Sequence, residues 1–341
     1  MANVLELFAQ PVILDYLNQK EYPAYLGETL FPEVKKPSLK FEYLRGSSDS
    51  IPTVASVHSF DTEAEIGSRE AYKQALKAAL IKRKIGMDEE MIIQLENPRF
   101  ASEEKYLQQQ VFRDVDNMVN GVKARVEGMR MEALSKGKIT VDENGLSFVV
   151  DYKVPTEHKK ALTGTSVWTD TSSDPLKDIL DAATALNGQA TRALTSSAVV
   201  SALLSNQKVI SGIFGAGSGR FLSLTELNTF LAARQLPVIA TYDNVYFKEQ
   251  ANGTKVRTRY LPANSFTLFG DGTLGETLYG PTAEETRLAR DPAIDLTKYG
   301  NVLAMVYEEG KDPVSTWIKA VATAMPSFPA ADDVFQLTPI A

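Results

Sequence analysis

Two histidines, a glycine-rich loop, a group of aspartates and a run of lysines and arginines are the residues whose types and spacing could support chemistry. His58 and His158 stand a hundred positions apart in polar loops. A histidine triad or metal cluster needs partners at defined spacing, and neither histidine has them. Both read as loop residues. The stretch Phe214-Gly215-Ala216-Gly217-Ser218-Gly219-Arg220 has enough glycine for backbone amides to approach an anion. A dinucleotide fingerprint, however, needs glycine where Arg220 stands, and a Walker loop needs Gly-Lys followed by Ser or Thr. A flexible loop ahead of Ser223 is the better reading. Asp170, Asp174, Asp178 and Asp181 could do acid–base or metal chemistry only if they converged. Asp174, Asp178 and Asp181 can share a helical face, but capping and solvation account for all four. No cysteine is present, which removes thiol nucleophiles, thiolate metal sites and disulfides. No cofactor or metal is expected, and an α/β enzyme using the Gly215 loop and the Asp174 cluster is the weakest functional reading.

The segment SREAYKQALKAALIKRK carries Arg69, Lys73, Lys77, Lys82, Arg83 and Lys84 against one acid, Glu70. Tyr72, Leu76 and Leu80 recur every four residues, which suits a short amphipathic helix or a ribbon. Such a segment offers a basic surface to an acidic neighbour, a nucleic acid or a membrane. Its apolar stripe is narrow and holds no Trp or Phe, so a solvated face or a contact with protein is the stronger reading. The net charge of −7 argues against a protein that wraps nucleic acid tightly, although local basic patches remain compatible with it. The opening MANVLELFAQPVILDYL lacks a basic n-region and carries acids within its apolar stretch, so it does not read as a signal peptide. No apolar run reaches the roughly 18 residues of a membrane span. The chain is expected to be soluble.

The elements that position these groups are legible in part. With 341 residues, 44% hydrophobic and 23% charged, the chain has ordinary globular composition and length for two domains or one elaborated domain. From Ser102 to Lys136, Val111, Val115, Met118, Val122, Val126, Met129 and Ala133 recur at steps of three and four, which predicts one buried face of a single helix. That helix would be about 52 Å long, several times the usual length. Ser102 is its expected N-cap and Gly137 its stop. Residues 1 to 38 read as an extended arm with a short helix, because Pro11, Pro23, Pro32 and Pro37 break longer elements. KFEYLRG reads as a strand, and ITVDENGLSFVVDYKV as a hairpin turning at Glu143-Asn144-Gly145. Further on come helices from Asp174-Pro175, Ser196 and the Ser223-Glu226 capping box, and a strand over Pro237 to Phe247. A turn at Asn252-Gly253 and strands at SFTLFG, NVLAMVYEE, VSTWIKAVATAM and DVFQLTPI complete the pattern.

Three stretches carry a resemblance in the order they occur. LTGTSVWTDTSSDPLKDI (162 to 179) looks like a Trp-containing loop before an Asp-Pro helix start. YLPANSFTLFGDGTLGETLYG (260 to 280) looks like a Leu-Pro, strand, glycine-rich, Tyr-Gly block. DPVSTWIKAVATAMPSFPAADDVFQLTPIA looks like an Asp-Pro strand, an aspartate-containing turn and a final strand. Together they resemble the lambda-type major capsid (head) proteins, the E family, of tailed bacteriophages. The resemblance implies an α+β fold of the Hong Kong 97 type. It implies an N-terminal arm at 1–38, then an extended loop (about 53–90) and a peripheral domain within 39–173, with the spine helix at about 102–136. An axial domain follows at 174–260, and 261–341 return from it as peripheral strands. The implied function is a non-enzymatic subunit that self-assembles into the icosahedral or prolate head shell around double-stranded DNA. An encapsulin-like shell or a tail-tube protein is the alternative. The implied partners are other copies in pentamers and hexamers, a separate scaffolding protein, a portal protein, a decoration protein and packaged DNA, with no membrane. Assembly in the host cytoplasm and residence in the virion follow. Arg69, Lys73, Lys77, Lys82, Arg83 and Lys84 are the expected contact with an acidic neighbouring subunit. Arms and loops lying across neighbours suit a shell subunit, because they supply contact area without a rigid interface.

Overall fold

The computed structural model describes residues 4–45, 72–250, 252–292, 294, 300–309 and 315–340. Helices α1 (Val4–Leu7), α2 (Gln10–Gln19) and α3 (Leu26–Leu30) come first, then strands β1 (Glu33–Lys35), β2 (Lys40–Arg45), β3 (Tyr72–Lys77) and β4 (Ala79–Met87). Helix α4 (Glu89–Glu96) leads into α5 (Ala101–Lys136), followed by β5 (Lys138–Glu143), β6 (Leu146–Asp151) and β7 (Lys159–Ala161). The middle of the chain holds α6 (Pro175–Ala185), β8 (Arg192–Thr195), α7 (Ser197–Ser205), α8 (Gln207–Phe214) and α9 (Leu224–Ala233). Strands β9 (Val238–Thr241), β10 (Val245–Glu249), β11 (Lys255–Arg259), β12 (Phe266–Phe269) and β13 (Thr277–Gly280) precede α10 (Ala283–Leu288). The last strands are β14 (Leu303–Glu309), β15 (Ser315–Pro326) and β16 (Val334–Thr338). Two compact units result, one of Met1–Phe41, Ala75–Glu127 and Glu276–Ser327, the other of Glu42–Gln74, Gly128–Gly275 and Phe328–Ala341.

The first unit is organised by β15. Its residues from Ala320 to Pro326 are all buried, the mark of a strand covered on both faces. Strand β4 pairs antiparallel with it from Thr316↔Met87 to Ala324↔Ala79. Strands β14 and β13 also pair with it antiparallel, over Ser315 to Val321 and Thr323 to Pro326 respectively, and β1 adds to β13 in parallel. The segment read as an extended arm is mainly helical. Pro11 sits in the first turn of α2, where its missing N–H has no partner to lose, so it starts a helix instead of breaking one. Val4, Phe8, Ile13 and Leu14 are buried.

In the second unit a sheet runs β7-β16-β12-β8-β9, parallel at its two outer pairs and antiparallel within. Helices α6 to α9 supply Ile179, Leu203, Val209, Leu227 and Leu231 to a core shared with Trp168, Ile239, Phe266, Leu268 and Phe335. The closing strand β16 belongs to this unit. The β5–β6 hairpin turns at Asn144 (φ 53°) and Gly145 (φ 76°), the double left-handed turn that matches strand twist.

Helix α5 has 36 residues. It starts at Ala101, so Ser102 lies inside its first turn, not at its cap. It ends at Gly137, whose φ of 66° reverses the chain; a Cβ there would come within 2.6 Å of Val154 Cγ2. Val111, Val115, Val122 and Val126 are completely buried, and Met118 and Met129 nearly so.

Three sequence expectations differ in detail. Of the helix or ribbon that residues 72–87 suited, two strands form: Leu76 is buried, while Leu80, four residues on, is 54% exposed because the two lie on different strands of different sheets, β3 paired with β2 and β4 with β15. Pro237 to Phe247 is two strands, because Asp243 turns aside to accept from the N–H of Ser197 at the start of α7. Helix α8 lies outside the sequence expectations. Asn206 interrupts the pattern there: its side chain accepts from the N–H groups of Lys208 (2.9 Å) and Val209 (3.4 Å), ending one helix and capping the next.

Candidate functional site

The basic run is the part of the chain most suited to a contact surface, and most of it lies in sheet. Arg69 falls outside the described residues. Lys73 belongs to β3, and Lys77, also in β3, is exposed. Lys82, Arg83 and Lys84 occupy β4 and are exposed, but each is engaged within its own subunit. Lys82 Nζ lies 3.3 Å from Glu284 Oε1, and Lys84 Nζ lies 3.7 Å from Glu309 Oε2 and 3.9 Å from the centre of the Trp317 ring. Register explains the ring contact. Trp317 stands opposite Gly86, where a Cβ would come within 3.3 Å of the indole, so glycine lets the ring lie across β4 toward Lys84. The stem of Arg83 packs against Gly121 of α5, with Cδ 2.8 Å from where a Cβ would stand. A glycine inside a helix costs about 1 kcal/mol relative to alanine, and here it makes room for an arginine stem. These three cations are therefore sheet residues with local partners, not a free loop tip.

Glu284 is the hub of that surface. It accepts a hydrogen bond from Lys319 Nζ at 2.5 Å, with the side chains only 16% and 13% exposed. Lys319 stands directly opposite Lys84 across the β4–β15 ladder, so an unneutralised pair there would repel. Burial works to raise the Glu284 carboxyl, but the hydrogen bond from Lys319 and the charges of Lys319 and Lys82 outweigh it and hold the group below its usual range. A depressed carboxyl stabilises the fold above its free value of 4.5 and loses that contribution as the pH falls through the folded value. Glu284→Gln is expected to destabilise the unassembled chain by about 1–2 kcal/mol at neutral pH. The gap to the unaltered chain should close as the pH falls below that value, read as unfolding midpoints in urea across the pH range. A constant gap would exclude the carboxylate as its source.

A second surface lies outside the sequence expectations. Phe112, Asp116, Lys123 and Glu127 lie at i, i+4, i+11 and i+15 on α5, a face distinct from the buried valine stripe. Residues 8–27 pack on it. Phe8 and Tyr16 stack against Phe112 at 5.5 and 4.4 Å between ring centres. Asp116 accepts from the hydroxyls of Tyr16 and Tyr22, both at 2.9 Å, and pairs with Lys20 at 3.2 Å. The N–H of Gly27 donates to the fully buried Glu127 at 3.1 Å. Burial, followed by the contact with Asp116, raises the Tyr16 and Tyr22 hydroxyls above their ordinary value. The recurring spacing of Phe112, Asp116, Lys123 and Glu127 is present in the sequence, but mixed polarity conceals a face from a search for apolar periodicity.

The aspartates do not converge. Asp174 caps α6 by accepting from the N–H of Lys177, and Asp181 pairs with Lys177 at 2.6 Å. Asp178 takes the indole N–H of Trp168 at 3.0 Å and Lys160 at 2.7 Å, while Asp170 takes the hydroxyl of Ser172. His158 ends a short 3-10 turn with its ring 6.2 Å from that of Phe335, and His58 lies outside the described residues. Gly215 ends α8 with φ 91°, and Arg220 lies over the Phe214 ring at 4.2 Å. The residues singled out for resemblance instead tie elements together: the N–H groups of Leu162 and Trp168 donate to the carbonyls of Thr338 and Pro339, and Arg192 spans the carbonyls of Gly270 and Gly272. The groups read as possible reactive centres thus hold the fold.

Comparison with known proteins agrees with a structural role. A search of curated proteins finds no match. Among solved structures, the chain is similar to a candidate capsid protein of an Escherichia coli CFT073 prophage, with 18% identity and a TM-score of 0.62 over 97% of this chain and 99% of that one. It is also similar to a phage-related protein from Bordetella bronchiseptica RB50, with 13% identity and a TM-score of 0.56 over 96% of each. At such identities the likeness is one of fold, the Hong Kong 97 type. Residues 10–338 match the description "Phage major capsid protein E". The chain belongs to the phage major capsid protein E family and is a shell-forming capsid protein, a component of the virion.

Proposed function

We propose that this subunit builds the icosahedral or prolate head of a tailed phage from pentamers and hexamers and encloses double-stranded DNA without catalysing a reaction. Helix α5 serves as the spine, the first unit with it as the peripheral part, and the second unit, apart from its chain ends, as the axial part. Assembly takes place in the host cytoplasm on a separate scaffolding protein, with a portal protein at one vertex and a decoration protein on the outer surface. The observation that carries this reading is the family match over residues 10–338.

The test is co-expression with and without the scaffolding protein, followed by sedimentation and negative-stain microscopy. Closed particles in the megadalton range are expected with the scaffold, and few or aberrant particles without it. A chain that stays monomeric or forms only small oligomers under every assembly condition would overturn the shell reading. Equal yields of closed particles in both arms would remove the separate scaffold.

A further inference from the structure

A groove of about 610 Å³ opens in the second unit between α7, α8, the loop after α8 and the end of β9. Its apolar lining comes from Val200 and Leu222, both 7% exposed, and from the half-buried Leu204 and Ile210. On its rim stands Phe221, 97% exposed. Leaving such a side chain in water forgoes much of the benefit its burial would bring.

The neighbours of Phe221 impose that position. Arg220 is held over the Phe214 ring and paired with Glu226 at 3.3 Å, and Leu222 is turned into the core. With both flanking residues fixed, Phe221 projects outward. The loop behind it contains Gly215, Gly217 and Gly219, and a Cβ at any of them would meet nothing within 4 Å. Packing does not crowd this loop, so it can adjust around its anchored base.

A subunit that carries a protruding aromatic ring beside an open apolar groove has the two halves of a head-to-tail contact. We propose that Phe221 of one copy seats in the groove of the next copy, an inference that rests on the shell reading because copies must meet side by side. A head-to-tail contact that closes by rotation makes a ring, whereas a two-fold contact would seat knob and groove reciprocally and stop at a dimer, which the shell reading does not use. The small area favours a second copy inside an assembly over a free dimer. A Phe ring buries about 150–250 Å², so ring plus groove remain well short of the roughly 1,200–2,000 Å² of a stable pair. The contact cannot hold two subunits alone. Repeated around a ring beside other contacts, it adds at every junction. At about 610 Å³ the groove is larger than one phenyl ring, which leaves room for the differing poses that rings of five and six copies require.

The chain has no cysteine, which makes cross-linking clean. Phe221→Cys and Ser201→Cys, on knob and groove respectively, are made as separate single variants, assembled alone and as an equal mixture, then oxidised. A disulfide-linked dimer is expected on a non-reducing gel of the mixture and not of either variant alone. Particles that form without the mixed dimer overturn the contact, as does an equal dimer yield from Phe221→Cys alone. In parallel, Phe221→Ser is expected to leave thermal unfolding of the unassembled chain unchanged and to cut particle yield by about tenfold, with Phe221→Leu restoring it. Unchanged yield overturns the contact. A Phe221→Cys chain that folds but does not assemble counts as Phe221→Ser does. If the unaltered chain forms no particles in the same preparation, the shell reading fails and this contact with it.

Discussion

Replacing Trp168 with alanine is expected to lower the melting temperature of the unassembled chain by roughly 10 °C. The indole is 1% exposed and meets Phe266 edge to face at 5.1 Å. Its N–H donates to Asp178 at 3.0 Å, and that carboxylate also takes Lys160. Truncation leaves a cavity beside β12 and α6 and takes a donor from a largely buried acid. Removing a buried Trp or Phe costs about 3–5 kcal/mol, and in a unit of this size each kcal/mol moves the midpoint by about 2–4 °C. Trp168→Phe keeps an aromatic ring against Phe266 and loses only the N–H, so about a third of the effect is expected. Scanning calorimetry of both variants is the measurement. A shift under about 3 °C for the alanine variant would show that the site collapses around the lost ring, and the indole would then not organise the second unit.

Removal of the Asp116 carboxylate is expected to release the N-terminal helices. Asp116→Ala takes the shared acceptor from Tyr16 and Tyr22 and the counter-charge from Lys20. Two partly buried hydroxyls without an acceptor cost about 2–4 kcal/mol together, concentrated on residues 4–31. Limited proteolysis should therefore cut within 4–31 at least about tenfold faster, while the core of the second unit stays intact. High pH should act the same way on the unaltered chain. The folded tyrosine values lie above the free value of 10.0, so the contribution is complete below that pH and falls as the pH rises through the folded values. Unchanged cleavage in Asp116→Ala would assign the hold on these helices to Phe8, Phe112 and the aliphatic contacts instead.

Local signals in the sequence were reliable where one residue's chemistry decides the outcome. Asp174-Pro175 and the Ser223-Glu226 box start helices because their side chains occupy amides that nothing else can reach. Asn144-Gly145 makes its turn because the left-handed backbone excludes most other residues. The stripe from Val111 to Met129 marks a buried helical face because apolar side chains at 3.6-residue spacing line up on one side of a helix and must be covered there. The resemblance carried by residues 162 to 179, 260 to 280 and the closing strands led to the family itself.

The sequence was least legible where the partner is distant along the chain. Tyr72, Leu76 and Leu80 suited a short helix or a ribbon, and the choice fell to distant partners: β3, with Tyr72 and Leu76, pairs with β2, while β4, with Leu80, pairs with β15 about 240 residues later. Lys82, Arg83 and Lys84 read as a solvated or protein-contacting face, and their partners within the chain, Glu284, Glu309, Trp317 and Gly121, lie too far along the sequence to be counted. Asp116 carried no signal in the sequence, because Tyr16, Tyr22 and Lys20 come to it only in the fold.

By itself, then, the sequence determined the capped helix starts and tight turns, the absence of thiol chemistry, the length and buried face of the long helix, and the capsid family. Only the tertiary structure decided which strands share a sheet, which charges neutralise one another, and which apolar side chain is left projecting beside an open groove. The physical reason is range. Caps, turns and helical faces are set by interactions within about five residues, whereas strand pairing, ion-pair partners and exposure depend on contacts across the whole chain.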